Sequence, residues 1–437
     1  MSFALAAIAD QSRTFFELLF HKPLDQAGIA LIIGYYAVAV LIITSLVLGI
    51  AMIGIWGERK VAGHIQLRLG PNRVGPFGIL QSLADGIKLI LKEDLIPKDA
   101  DRLLFRLAPY IAFAPVFAAF IALPFAPQLV FEPRLNVGVF YILAFLGVEV
   151  MGVILAGWAS NNKWSIYGAM REACQMVSYE IPLGISIIIG VMAAGTLNMV
   201  QMGHEQAGGL QNWLIFRNPF VFLAFFVYFV ASLASNKRAP FDLPESESEL
   251  VAGFHTEYSG MRWAFFFFAE YAAMFVVGGI QTALFLGGWN DPFGLVGHFY
   301  AKYLAAGNAT GLIIVNLIGA AIFIAKASII IYTQMWIRWT LPRPRIDQVL
   351  YACVKVLLPM ACVLLLGAAL WQLFVPEGTI VAWAVQVLLA LVGAGIFAAI
   401  AAWIAYAAIT GRNLKQRLTD PADIIVPEEP KPEVAGA

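Results

Sequence analysis

The sequence predicts an all-α integral membrane protein, and three observations carry that expectation. Hydrophobic residues make up 60% of the chain and charged residues 13%, with a mean hydropathy of +0.78. A soluble domain carries about 25% charged residues. Apolar segments fall near 29–56, 104–125, 137–158, 173–195, 218–235, 262–286, 311–337 and 349–375, with a ninth candidate near 379–409. Each is long enough for the roughly 17–25 residues of a spanning helix. Only short polar stretches separate most of them, which describes one helical membrane domain and no soluble module.

The first span ends in Gly57-Glu58-Arg59-Lys60. Beyond it, Gly70, Pro71, Gly75, Pro76 and Gly78 punctuate a turn-rich loop. The loop lacks the Lys-Ser or Lys-Thr ending that lets a glycine-rich turn cradle phosphates, so nucleotide binding is not expected. Ile79, Leu80, Leu83, Ile87, Ile90 and Leu91 then fall largely at helical spacing, with Asp85, Lys88 and Lys92 among them. That pattern fits an amphipathic helix on the membrane face or an ordinary surface helix.

The third, fourth and sixth spans carry Glu149, Glu180 and Glu270 in otherwise apolar surroundings. An ionisable side chain near mid-bilayer costs roughly 2.5–3.5 kcal/mol on insertion scales. Each glutamate therefore needs a partner, water or a proton. Each reads either as a station on a polar pathway or as a neutral glutamate packed at a helix interface. After the ninth candidate the chain turns polar and proline-rich, in PADIIVPEEPKPEVAGA, the composition of a disordered or docking tail.

Between Ser235 and Tyr271 lie six acidic residues, Asp242, Glu245, Glu247, Glu249, Glu257 and Glu270. Carboxylates this dense beside a bilayer read as a route for protons or a polar ligand; the alternative is a solvated acidic loop. Glu245 and Glu249 are one helical turn apart and can share a face, with Glu247 off it. Clustered carboxylates repel and titrate as a coupled set. Lys237 and Arg238 are expected to supply the opposite charge at the loop entrance. Asp242 is either a member of the route or the cap of a turn after Pro240.

Formal net charge is zero, which argues against a nucleic-acid partner. Cys174, Cys353 and Cys362 form no CxxC pair and no metal-ligand spacing, so neither a disulfide nor an iron–sulfur site is expected. No signal peptide is evident at the N-terminus, and no internal repeat of the kind that builds secondary transporters stands out. Lysine and arginine set the orientation. Alternate connections, from Arg59 to Arg102, then Lys163 and Arg171, Lys237 to Arg262, and Arg338 to Arg345, hold most of the basic residues. With the N-terminus outside, these connections and the acidic stretch face the cytoplasm.

Five segments occur in one order: GERKVAGHIQLRLGPNRVGPFGILQSLADGIKL (57–89), GWASNNKW (157–164), QMVSYEIPLG (175–184), RAPFDLPESESELVAGFHTEYSGM (238–261) and RPRIDQVLYACVKVLLP (343–359). Together they resemble the H-type membrane subunit of bacterial respiratory complex I, the counterpart of mitochondrial NADH dehydrogenase subunit 1, over roughly residues 25 to 375. The resemblance implies eight spanning helices plus an amphipathic helix after the first. It implies a membrane domain over 1–376; the remainder, 377–437, departs from the family pattern as a C-terminal extension carrying the ninth span. It also implies a multi-pass protein of the bacterial inner membrane, lying where the membrane and peripheral arms of the complex meet, with the other complex I subunits, quinone and the lipid bilayer as partners. The chain itself would bind no redox cofactor. Quinone would be the substrate, and FMN and the iron–sulfur clusters would belong to partner subunits.

Carried over residue by residue, the resemblance places Glu58, Arg59, Asp85, Arg238 and Arg338 at a quinone access tunnel. It places Glu149, Glu180, Asp242, Glu245, Glu247, Glu249, Glu257 and Glu270 on a proton route into the membrane. From the residues alone, Glu58 and Arg59 read equally as a snorkelling interfacial pair. One departure from the family pattern matters. A run like ALAETNR is usual before the arginine matching Arg238, whereas this chain has Leu233-Ala234-Ser235-Asn236-Lys237-Arg238. Ser235 thus replaces a carboxylate, and Lys237 replaces an asparagine. The rival readings are the related membrane subunit of a hydrogenase-type complex, and a stand-alone ion transporter.

Overall fold

The computed structural model describes residues 29–132, 135–243, 247–375 and 379–418. Among these residues the regular structure is helical and no strand forms, the class the composition predicts. Among the described residues seven helices are long and apolar enough to cross a bilayer, and two shorter apolar stretches, Pro219–Ser235 and Ile380–Ile396, join them. The chain divides into two units, Met1–Gln386 and Val387–Ala437. The helices α1 to α9 belong to the first.

Helix α1, Ile29–Ile65, runs past the expected end near residue 56, so Glu58 and Arg59 stand on a helix. After the glycine- and proline-rich turn comes α2, Gln81–Leu91. Much of its apolar face is uncovered in this chain: Ile90 is 65% exposed and Leu91 81%. Helix α3, Arg102–Ala122, is capped by Asp101, whose carboxylate accepts from the backbone N–H of Leu103 and Leu104 at 3.0 and 3.2 Å. Helix α4 covers Gly138–Ala159.

Helix α5, Lys163–Ala194, begins about three turns before the expected 173. Asn162 caps it by accepting from the N–H of Trp164 at 3.0 Å, and Gly195, at φ 70°, ends it in the left-handed region that glycine adopts without strain. Helix α6, Pro219–Ser235, starts with Asn218 as cap and proline in its first turn, the pairing that satisfies one free N–H and removes another. Then follow α7, Gly260–Phe285, α8, Ala309–Thr340, and α9, Ile346–Phe374, which contains a π-helical turn over Ala352–Leu357. Helix α10 covers Ile380–Leu418.

Helix α7 forms the centre of the bundle: from Tyr271 to Phe285 every residue is buried. Its C-terminal end is held by a cation. The Lys326 ammonium of α8 donates to the carbonyls of Leu286, Gly288 and Asn290 at 2.6, 3.1 and 2.6 Å, and lies 4.0 Å from the Trp213 ring. Carbonyls left unpaired where a helix ends carry partial negative charge, so an ammonium there satisfies both their hydrogen bonding and the helix dipole. Lys326 is thus compatible with an apolar environment.

Helices α3 and α4 meet backbone to backbone. A Cβ on Gly152 would lie 2.5 Å from the Ala112 nitrogen and 2.7 Å from its Cα. Gly152→Val should therefore force the pair apart, at a cost of roughly 1–3 kcal/mol or more. Lower yield of membrane-inserted protein and a reduced melting temperature are expected. Gly184→Ala, with nothing within 4 Å of its Cβ position, should leave both unchanged.

Candidate functional site

Glu58 is the meeting point of three helices and the segment that follows α6. It projects from α1 into the bundle, where its Oε2 accepts from the Arg238 guanidinium at 2.8 Å and from the Tyr271 hydroxyl at 2.5 Å. Its Oε1 accepts from Arg338 of α8 at 2.5 Å. Arg238 follows the end of α6 and is only 1% exposed. Its Nε lies 2.9 Å from Glu270 Oε1 on α7, and its guanidinium carbon lies 4.3 Å from the Tyr271 ring centroid. Two carboxylates thus face two guanidiniums, and the cluster is formally neutral. Removing one member of such a buried pairing leaves an uncompensated charge, a loss of about 3–5 kcal/mol.

Arg59 is adjacent in sequence, and about 100° of helical rotation turns it elsewhere. It is 43% exposed and reaches Asp85 of α2 at 2.5 Å. Gln81 also donates to Asp85, at 3.2 Å, and the Lys88 ammonium is 3.7 Å away. Partial burial acts to raise the Asp85 pKa, but the hydrogen bond and charge of Arg59 outweigh it and hold the carboxyl below its ordinary value. Glu58 and Arg59 therefore each have their own partners, one set inside the bundle and one across the α1–α2 edge.

A second buried cluster forms around Lys237. Its ammonium lies 2.5 Å from Glu172 of α5 and 3.1 Å from Glu149 of α4. Burial alone would lower the Lys237 pKa, but Glu172 and Glu149 outweigh it and keep the ammonium charged. The Lys237 backbone has φ 55°, in the left-handed region that side-chain-bearing residues enter at a cost. The ion pairs offset that strain. Beside this cluster lies a cavity of about 170 Å³ lined by Glu149, Lys237, His255, Glu270, Phe254 and Trp263, among others. It touches members of both clusters. Burial, reinforced by the charge of Lys237, pushes His255 down to about 4, so its ring is neutral near pH 7. A larger cavity, of about 700 Å³, lies near Ala194, Arg217 and Trp371, toward the other ends of α5 and α6.

The remaining predicted residues spread around this core. Asp242 lies 3.1 Å from Arg343. Burial pushes its pKa up to about 6, against the opposing pull of Arg343 and Arg338. Glu249 pairs with Arg171 at 2.5 Å on the surface, and Glu257 accepts from Asn162 at 2.6 Å. Glu180 is half-buried on α5 and makes no ion pair among the described residues. Glu245 lies outside the described residues, and Glu247 is described only as the first residue of the short helix Glu247–Leu250. Lys237 and Arg238 supply positive charge at the start of the acidic stretch, and the carboxylates they meet are those of α1, α4, α5 and α7. Asp242 faces an arginine, and no turn-capping bond from it is present among the described residues.

Sequence reasoning misses Glu172 and Tyr271. Glu172 precedes the expected start of the fourth span, so it reads as part of a connector. A signal is nonetheless present: Ser165, Gly168, Glu172, Gln175, Tyr179 and Ser186 recur at three-, four- and seven-residue spacing, an inward polar stripe on α5, and all are buried.

The family model described as NADH dehydrogenase matches residues 37–369. The NADH-quinone oxidoreductase H subunit of Chlorobium luteolum is 46% identical over 352 residues, covering 80% of this chain and 92% of the relative. The protein of the same name from Anaeromyxobacter dehalogenans is 42% identical over 380 residues, covering 86% and 90%. That from Bacillus cytotoxicus is 45% identical over 342 residues, covering 78% and 95%. With a family model spanning most of its length and a bundle of membrane-crossing helices, the chain belongs to the NADH dehydrogenase family, as a complex I membrane subunit of the H type.

Proposed function

We propose that this chain forms one wall of the quinone access tunnel of a proton-pumping NADH:quinone oxidoreductase, together with the first part of its proton-coupling route. The observation that carries the reading is the succession of ionisable side chains from Arg59–Asp85 at the α1–α2 edge, through Glu58, Arg238 and Glu270, to Glu149 and Lys237 across the cavity. Such groups are costly within a membrane protein and mark substrate or proton pathways. NADH oxidation, FMN and the iron–sulfur clusters are assigned to partner subunits, and quinone is the substrate that meets them at this chain's edge. The uncovered apolar face of α2 suits contact with quinone, lipid or a peripheral-arm subunit.

Quinone reduction takes two electrons from the partners' centres and two protons. A charge change near Arg59 and Asp85 would be felt at Glu58, one residue away on α1. Arg238 lies 2.8 Å from one carboxylate and 2.9 Å from the other. A small shift toward Glu58 loosens Glu270, which then favours a proton from the cavity side. Arg238 thus couples quinone chemistry to protonation without carrying a proton. The basic residues of the alternate connections support an orientation with this end of the bundle toward the cytoplasm of a bacterial inner membrane and the N-terminus outside.

Arg59→Ala should lower quinone-linked NADH oxidation at least about tenfold, or roughly 1.4 kcal/mol, while NADH oxidation by an artificial acceptor survives. Steady-state kinetics of the assembled complex check this, and unchanged quinone kinetics would remove Arg59 from the tunnel. Asp242 is protonated below about pH 6 and charged above it, so acidification releases Arg343. Quinone turnover should accordingly fall as pH drops through about 6, and Asp242→Asn should flatten that inflection in the pH–rate profile. We assign the extension beyond residue 376 a role peripheral to the chemistry. A chain ending at Val375 should still assemble and reduce quinone, and an assembled but inactive truncation would refute the assignment.

A further inference from the structure

The corner formed by Glu149, Glu172 and Lys237 holds one acid more than it holds bases. Charge balance around a buried lysine needs one carboxylate, and Glu149 already supplies it. Glu172 is 0% exposed, and Lys237 is its only polar partner among the described residues. A carboxylate that merely stapled the fold would have its oxygens saturated by donors. Where the family pattern has a carboxylate this chain has Ser235, and Glu172 supplies an acid beside Lys237.

We propose that Glu172 is a proton-carrying group of the coupling route, forming with Glu149 a two-carboxylate site that holds one proton and shares one ammonium. This rests on the route proposed above and adds to it a residue and a mechanism of transfer. Two carboxylates and one ammonium reach neutrality with a single proton, and two adjacent buried carboxylates do not both ionise cheaply. Glu149 lines the cavity, whereas Glu172 stands behind Lys237. A proton arriving from the cavity enters on Glu149, and the ammonium then pairs with Glu172, the closer contact at 2.5 Å. When the proton leaves the Glu149 carboxyl for Glu172, the ammonium swings to Glu149, now charged. One O–H bond breaks, one forms, and Lys237 keeps its three protons throughout. The other charged and titratable groups facing this corner are Glu270, already engaged by Arg238, and the neutral His255. The left-handed backbone at Lys237 aims its side chain between the two acids.

The test uses the assembled complex. Glu172→Gln keeps size and hydrogen-bonding capacity and leaves Lys237 balanced by Glu149, so assembly should persist. Quinone-linked turnover and proton pumping should fall together by ~tenfold or more, with electron transfer to an artificial acceptor intact. The infrared carboxyl C=O band that responds to reduction should lose one component. Glu172→Asp, which retains a titrating group, should recover part of both activities. Equal activity in the Gln and Asp variants, or normal turnover, pumping and infrared spectrum in Glu172→Gln, would overturn the proposal. Glu149→Gln run in parallel separates the two readings: if it is impaired while Glu172→Gln is normal, the route stands without Glu172. If both are normal, the route itself fails.

Discussion

A guanidinium buried to 99% of its surface sets the terms for this bundle. Arg238 cannot release its proton, and it cannot sit in a dry interior without negative charge on both sides. Glu58 from α1 and Glu270 from α7 provide that charge, while Tyr271 stacks beneath the guanidinium and donates to Glu58. Arg338 from α8 then compensates the second negative charge. Four segments distant in sequence are thereby fixed at one level of the bundle. The positions of α1, α7 and α8 at that level are interdependent, since moving any one of them exposes an unpaired ion to an apolar environment.

The two buried clusters differ in a way that matters for their use. Around Arg238 opposite charges match, which favours a single stable geometry. Around Lys237 they do not match, and an unmatched group of acids has more than one low-energy arrangement of proton and cation. The cavity touches both, and its neutral His255 adds no competing charge. On the proposed route, the matched cluster would pass a local electrostatic change to the unmatched one, where a proton is taken up.

Much of the fold is legible in the sequence because a spanning helix must be apolar for about 20 residues. Every expected span has its helix, and the amphipathic pattern from Ile79 to Leu91 corresponds to α2. What composition does not locate is helix continuing through polar residues that neighbours bury. Helix α1 runs on past Gly57 because the ionic side of Glu58 is matched by Arg238 and Arg338, 180 and 280 residues away. Helix α5 starts early because Asn162 caps it and its polar stripe packs inward, and for that reason Glu172 reads as connector. The carboxylates Glu149, Glu180 and Glu270 are visible as charges in apolar runs. The partners of Glu149 and Glu270 are not, because lysine and arginine beside an acidic loop look the same whether they face water or turn inward.

The Glu58–Arg338 contact has a consequence for how the chain is made. The residues are 280 positions apart, so at roughly 5–20 residues per second about 14–56 s of synthesis separate them. Arg238 arrives earlier, 180 residues after Glu58. For that interval the first helix is already inserted while its carboxylate has no partner from its own chain. The membrane insertion machinery, water at the helix end or a bound proton must accommodate Glu58 until Arg238 emerges. The last ionic contact of the cluster can therefore close only after most of the bundle exists, which makes it a late checkpoint in biogenesis.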